Sequence, residues 1–162
     1  MTIFYMNWKS TIKGFKNYLQ LELSLSANSI EAYLRDVEKL VQYFELQEID
    51  VQPEKVTQNQ IEEFLQWVSE MGLNARSQAR ILSGLKAFYK FLLMEDIIDV
   101  APTELLESPK IGRKLPEVLS IDEINTLINA VDLSTAEGER NKAMLETLYS
   151  CGLRVSELVT LN

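Results

Sequence analysis

Apolar residues recur at intervals of three and four along the first part of the chain, and this periodicity limits the fold more than any other feature. The first repeating set is Trp8, Ile12, Phe15, Leu19 and Leu23. Such spacing places side chains on one face of an α-helix, whereas the alternation expected of a half-buried strand is nearly absent. The sequence therefore predicts an all-α protein built from amphipathic helices.

Residues that favour helix caps precede the next three apolar stripes. Helix starts are predicted at Asn28, Thr57 and Asn74, and the first two are followed three positions later by Glu or Gln, the spacing of a capping box. Gly72 is suited to end the third helix, and the fourth is expected to run to about Met94. Four amphipathic helices of this length predict a compact four-helix bundle.

The chain changes character after residue 107. Residues 107–120 hold two of the four prolines, a glycine and three basic residues, and they lack helical periodicity. This composition predicts an interdomain linker at residues 108–119, between a first domain of residues 1–107 and a second segment of residues 120–162. An ordinary surface loop is the alternative.

The second segment, residues 120–162, contains signals for further helices. Ser120 and Ser134 are the predicted caps, and each is followed three positions later by Glu. The segment is too short for an independent single-core domain, so we expect it either to pack on the bundle or to begin a larger domain. Tyr149 and the single cysteine, Cys151, have apolar neighbours and are expected in a core.

Charge is distributed unevenly along the chain. The net charge of −8 argues against a nucleic-acid partner, but the predicted fourth helix holds four basic residues and no acidic one. The basic residues fall within roughly 120° of arc, opposite the apolar face. The basic set is Arg76, Arg80, Lys86 and Lys90, and the apolar set is Ile81, Leu85, Phe88 and Leu92. Ser77 lies on the cationic side, so the pattern favours phosphate binding, with a solvated helix face as the alternative.

A further arginine lies in the stretch Gly-Leu-Arg-Val-Ser-Glu-Leu at residues 152–158. Gly152 is suited to end one helix, which places Arg154 at the start of the next. A guanidinium there, beside backbone N–H groups, is suited to hold an anion bidentately, and Glu157 could orient it. A purely structural ion pair between the two side chains is the alternative.

This stretch resembles the first conserved box of the tyrosine recombinase, or phage integrase, family. Two upstream segments, beginning at Leu23 and Leu73, are similar to the N-terminal core-binding domain and linker of its Xer-type members. The resemblance spans nearly the whole chain. It implies a SAM-like four-helix core-binding bundle, a linker and the truncated helical start of a catalytic domain. XerC-like, XerD-like and mobile-element members all remain open.

The resemblance also implies an activity, namely site-specific recombination in which DNA strands are cut and rejoined through a 3′-phosphotyrosyl intermediate, without metal or cofactor. Arg154 matches the first catalytic arginine, which would stabilise charge in the transition state, and Glu157 would support it. The family's later motifs, including His-x-x-Arg and the nucleophilic tyrosine, have no match, and the chain contains no histidine. We therefore expect the N-terminal part of a longer recombinase, able to bind DNA weakly but inactive alone.

The same resemblance places the second and fourth helices against double-stranded DNA. The candidate DNA-binding residues are Ser26, Asn28, Ser29, Arg76, Ser77, Arg80, Lys86 and Lys90. In the parent protein, other recombinase protomers would complete a tetramer on two DNA sites, in the cytoplasm, with no membrane or small-molecule partner. Two other classes fit parts of the sequence. A helical protein-interaction module explains the acidic total, and a helix-turn-helix regulator explains a cationic helix.

Overall fold

The computed structural model describes residues 7–110, 112 and 118–161. Within these ranges the regular secondary structure is helical, without a strand, which confirms the all-α prediction. The chain divides into two compact units, Met1–Gly112 and Arg113–Asn162, and the boundary falls in the predicted linker, part of which lies outside the described residues. No helix in the described ranges is long and apolar enough to cross a lipid bilayer.

Each unit is formed by helices that follow one another along the chain. The first contains α1 (Trp8–Leu21), α2 (Ala27–Leu46), a 3₁₀ turn at Pro53–Lys55, α3 (Gln58–Glu70) and α4 (Ala75–Met94). The second contains α5 (Ile121–Asn129), α6 (Ala136–Cys151) and α7 (Val155–Leu158). In the first unit α2 and α4 each pack against the other three helices, and the contact between these two is the most extensive, so this pair forms the centre of the bundle.

Several predicted helix ends are confirmed. The side chains of Thr57, Asn74 and Ser120 cap α3, α4 and α5 by accepting backbone N–H groups of the first turn. Gly72 and Gly152 follow α3 and α6 with φ values of 82° and 63°. This left-handed conformation costs glycine less than any residue with a side chain, which is why glycine ends these helices.

The predicted start of α2 is wrong, and the correction concerns two candidate site residues. Ser26 is the cap, because its hydroxyl oxygen accepts the backbone N–H of Ser29 at 3.3 Å and its carbonyl accepts that of Ile30 at 3.0 Å. Asn28 therefore lies inside the first turn. Ser and Asn are comparable caps, so the sequence alone did not decide between them.

The predicted start of α6 is wrong by one residue. The Ser134 backbone N–H and hydroxyl both donate to the carboxylate of Asp132, at 2.8 and 2.9 Å, so this side chain closes a local turn. Thr135 is the cap instead, and its hydroxyl oxygen accepts the backbone N–H of Gly138 at 3.1 Å. The Ser134 side chain therefore binds Asp132 instead of capping α6.

The core of the first unit is centred on α4. The side chains predicted to face the core are all fully buried, namely Ile81, Leu85, Phe88 and Leu92. Phe15 of α1 packs edge-on against Phe88, with ring centres 5.3 Å apart, and Phe64 of α3 is also fully buried. Because packing fixes the rotation of α4 about its axis, it also fixes which side chains face solvent.

The second unit covers its apolar side chains less completely. Tyr149 is 49% exposed and Cys151 is exposed, so the prediction that both lie in a core is wrong for this unit. The physical reason is that α5 and α7, with nine and four residues, are too short to cover α6. An open apolar groove remains between α5 and α6, lined by Leu119, Ile124, Leu127, Ile128, Leu145, Leu148 and Tyr149.

Candidate nucleic-acid interface

The outer face of α4 carries the cations that the sequence singles out. Arg76, Arg80 and Lys90 are exposed and Lys86 is half-buried, all on the side away from the buried apolar stripe. With a rise of 1.5 Å per residue, Arg76 and Lys90 lie about 21 Å apart along the helix. The face therefore carries positive charges spread over the length of the helix, which suits the repeated phosphates of a DNA backbone.

Arg80 is not a free cation, since it forms an ion pair with Asp36 of α2. The Arg80 Nη1 atom lies 2.7 Å from Asp36 Oδ2, and the two side chains are 48% and 2% exposed respectively. Desolvation by burial raises the pKa of Asp36, and the hydrogen bond and charge of Arg80 oppose this rise without cancelling it. Part of the charge of Arg80 is therefore offset from within the bundle.

Gly84 makes this ion pair possible because it lets α2 and α4 approach closely. A Cβ atom at position 84 would lie 2.6 Å from Asp36 Oδ2 and 2.8 Å from Asp36 Cβ. Any side chain there would displace the carboxylate. Neither Asp36 nor Gly84 was predicted as a site residue from the sequence, although each carried a signal. Asp36 is a carboxylate directly before the apolar Val37, and Gly84 is a glycine in the middle of a helix, where glycine costs about 1 kcal/mol relative to alanine.

Lys86 is also engaged within the protein. Its Nζ atom donates to the backbone carbonyl of Leu106 at 2.7 Å. Leu106 and the nearby Thr103 are buried, so the lysine ties the segment after α4 to the bundle. Among the described residues, no hydrogen bond or ion pair engages the side chains of Arg76 and Lys90, so these two are the α4 cations without a partner inside the protein.

The remaining candidates are polar groups at helix starts. At α2, the Ser26 and Ser29 hydroxyl oxygens lie 2.9 Å apart, and Asn28 is exposed beside them. At α4, the half-buried Ser77 donates its backbone N–H to the cap residue at 2.9 Å. Helix starts carry partial positive charge, so hydroxyl and amide groups there suit a phosphate oxygen, although the Ser26 hydroxyl and the Ser77 backbone N–H already serve local caps.

Arg154 and Glu157 lie in the second unit, at the start of α7. Glu157 accepts twice from Arg154: its Oε2 from the backbone N–H at 2.7 Å and its Oε1 from Nη1 at 3.0 Å. The Arg154 side chain is 82% exposed, so its other guanidinium donors are open to solvent. This geometry is the local ion pair named above, between the side chains of Arg154 and Glu157.

The chemistry of the first unit suits an anion better than a metal ion. The part of the chain that the structure describes holds no cluster of three or more metal-ligating side chains. What the first unit offers is a helix face with exposed Arg76 and Lys90 and a paired, half-exposed Arg80 between them. Cations spaced along a helix without a deep pocket suit an extended polyanion better than a small molecule.

The chain is similar to known proteins over most of its length. The family described as Phage integrase, N-terminal SAM-like domain, matches residues 12–96. The chain is 40% identical over 158 residues to the tyrosine recombinase XerD of Chlorobaculum tepidum, covering 96% of this chain and 51% of the relative. It is 39% identical over 148 residues to XerD of Staphylococcus saprophyticus, with coverages of 91% and 50%. The chain thus spans about half the length of the curated relatives it matches.

Solved structures share the fold. The integrase from mycobacterium phage Brujita superposes with a TM-score of 0.57 at 23% identity, covering 91% of this chain and 47% of the integrase. XerA recombinase gives a TM-score of 0.51 at 24% identity, with coverages of 93% and 49%. At these identities the likeness concerns the backbone fold.

Proposed function

The chain belongs to the phage integrase, or tyrosine recombinase, family, and on that premise we propose that it is the DNA-binding N-terminal part of a site-specific recombinase. The observation that carries the proposal is the outer face of α4. Arg76 and Lys90 are exposed on it, in a helix without a carboxylate, although the chain as a whole has a net charge of −8. Segregation of this kind is expected of a surface that meets phosphate.

The proposed DNA contacts are chiefly to the backbone. Arg76, Arg80 and Lys90 would neutralise phosphates, while Lys86 would do so only by giving up its bond to the Leu106 carbonyl. Hydroxyl and amide groups at the starts of α2 and α4 would add hydrogen bonds to phosphate or to base edges: Ser26, Asn28, Ser29 and Ser77. Contacts of this type give affinity and register more than sequence discrimination.

The proposed role of the second unit is catalytic in the whole recombinase. Arg154 would brace the scissile phosphate and stabilise its charge in the transition state, with Glu157 holding the guanidinium in orientation. In the whole protein, the partners would be duplex DNA and further recombinase protomers, acting in the cytoplasm. By itself the 162-residue chain, which lacks histidine and hence the family's His-x-x-Arg motif, would bind DNA without exchanging strands.

The test is binding of the 162-residue chain to a fluorescein-labelled DNA duplex, titrated from low to physiological salt. We expect the wild type to bind in a salt-sensitive way. The Arg76→Glu/Lys90→Glu variant should lose this binding, because two positive charges that attract phosphates become negative charges that repel them. Arg80 is left intact, since a glutamate at position 80 would face the buried carboxylate of Asp36 and disturb folding.

The matched control is Lys9→Glu/Lys13→Glu, which makes the same charge change on exposed positions of α1. If both variants lose binding equally, net charge rather than the α4 face explains the interaction. Absence of wild-type binding even at low salt would contradict the proposal for this chain.

A further inference from the structure

The ion pair between α2 and α4 has a geometry that stability alone does not explain. We infer that Asp36 is a positioning residue for DNA binding, whose buried carboxylate fixes the Arg80 guanidinium on the outer face of α4 so that its remaining N–H groups meet a phosphate. This inference rests on the proposed function. It assigns a role in binding to a side chain that is itself 2% exposed and cannot touch DNA.

The pair crosses the boundary between core and solvent. Asp36 Oδ2 accepts from Nη1 of Arg80 at 2.7 Å, while the arginine side chain remains 48% exposed. A guanidinium has five N–H donors in a fixed planar fork, and this contact uses one of them. Because the carboxylate binds one donor from the side of the bundle, the remaining N–H groups of the guanidinium are free to bind an external anion.

Stability gives a poor account of the same arrangement. A buried carboxylate loses its hydration, and an ion pair with a half-exposed partner repays that loss only in part. The second oxygen of Asp36, Oδ1, is buried without a hydrogen-bond partner among the described residues. An apolar pair of similar volume would avoid both costs, so another benefit is needed to explain the carboxylate.

Restricting Arg80 before DNA arrives supplies that benefit. A free arginine side chain loses rotamer freedom when it binds a phosphate, and a side chain already held in place loses less. Gly84 supports the arrangement, because a Cβ atom there would lie 2.6 Å from the same carboxylate oxygen. The close approach of the two helices at Gly84 therefore determines where the guanidinium is held.

Charge alone predicts the opposite effect, and this makes the inference testable. A carboxylate near the DNA surface repels phosphate, so removing it should strengthen binding if Asp36 acts only through its charge. Arg35 and Lys39 of α2 lie near enough to influence Asp36 electrostatically, and they keep the surroundings positive in either case. If Asp36 instead orients Arg80, removing its charge should weaken binding.

The experiment compares Asp36→Asn, Arg80→Gln and the double variant with the wild-type 162-residue chain in the duplex titration described above. Far-UV circular dichroism confirms that each variant is folded at the temperature used. We expect each single variant to bind roughly three- to tenfold more weakly, and the double variant no more weakly than Arg80→Gln alone. The log–log salt slope should become shallower by about 0.9 in all three, the value for one phosphate contact.

The matched control is Glu62→Gln, which removes one negative charge from an exposed position on α3 and should leave affinity and salt slope close to wild type. Equal or tighter binding by Asp36→Asn overturns the inference, as does additivity of the two single effects. Should Asp36→Asn not fold, Arg80→Lys decides, because it keeps the charge and loses the fork: wild-type affinity in that variant overturns the inference, and a loss like that of Arg80→Gln supports it.

These results separate the inference from the function on which it rests. If the wild type binds and Arg76→Glu/Lys90→Glu does not, while Asp36→Asn binds as well as the wild type, the function stands and the role of Asp36 fails. If the wild type does not bind the duplex at any salt concentration, both fail together.

Discussion

The two units differ in how completely the apolar faces of their amphipathic helices are buried. In the first, the apolar stripe of α4 is fully buried because α1, α2 and α3 all pack against that helix. In the second, α5 has an equally regular apolar face, yet Leu127 is 48% exposed, and Ile128 is the buried residue of that helix. Periodicity specifies which face of a helix is apolar, whereas burial depends on how many neighbours cover it.

The largest expected difference between the units is the cost of removing a stripe residue. Leu85→Ala should lower the free energy of unfolding of the first unit by about 2–5 kcal/mol, since it leaves a cavity at a fully buried position. Leu127→Ala in the second unit should cost less than about 1 kcal/mol, because half of that side chain is already in water. Urea unfolding followed by far-UV circular dichroism measures both, and equal losses would break the comparison.

A smaller effect tests whether tertiary packing in the first unit outweighs local helix propensity. Alanine is a better helix former than glycine by about 1 kcal/mol, so propensity alone predicts that Gly84→Ala stabilises the chain. The close approach of Asp36 predicts the reverse, a loss of about 1–3 kcal/mol from overpacking. The control is Ser83→Ala, one position earlier on the exposed side of α4, which should be neutral or slightly stabilising. A stabilising Gly84→Ala would mean that α2 can shift at little cost.

The contrast between local and tertiary determinants also explains what could be read from the sequence. The bounds of α4, the position of its apolar stripe and the caps at Thr57, Asn74 and Ser120 depend on residues close in the chain, and all were predicted. The bond from Lys86 to Leu106 joins residues 20 apart in sequence, and the pair of Arg80 with Asp36 joins residues 44 apart. No local pattern encodes such pairings. The sequence therefore identified the cationic face but not which of its cations are already engaged.

The smallest effect concerns pH, and it should have opposite signs in the two units. In the first, burial raises the pKa of Asp36 above its ordinary value of 3.8. In the second, hydrogen bonds from Ser120 lower the pKa of Glu123 below its ordinary 4.5, and those from Ser134 lower the pKa of Asp132 below 3.8. Folding therefore raises the proton affinity of Asp36 in the first unit, and it lowers the proton affinities of Glu123 and Asp132 in the second.

The signs follow from proton binding in the folded and unfolded states. Between pH 3.8 and its raised folded pKa, Asp36 binds more protons in the folded chain than in the unfolded one, so its contribution to stability falls as pH rises through that window. Glu123 binds fewer when folded, so its contribution is present above pH 4.5 and is lost as pH falls through the lowered folded pKa. We expect the unfolding free energy of the wild type, relative to Asp36→Asn, to decrease with rising pH, and relative to Glu123→Gln to increase. Urea titrations of the three proteins across this range measure both differences. The same sign in both would mean that the Arg80 ion pair outweighs burial at Asp36, and the two units would then respond to acid alike.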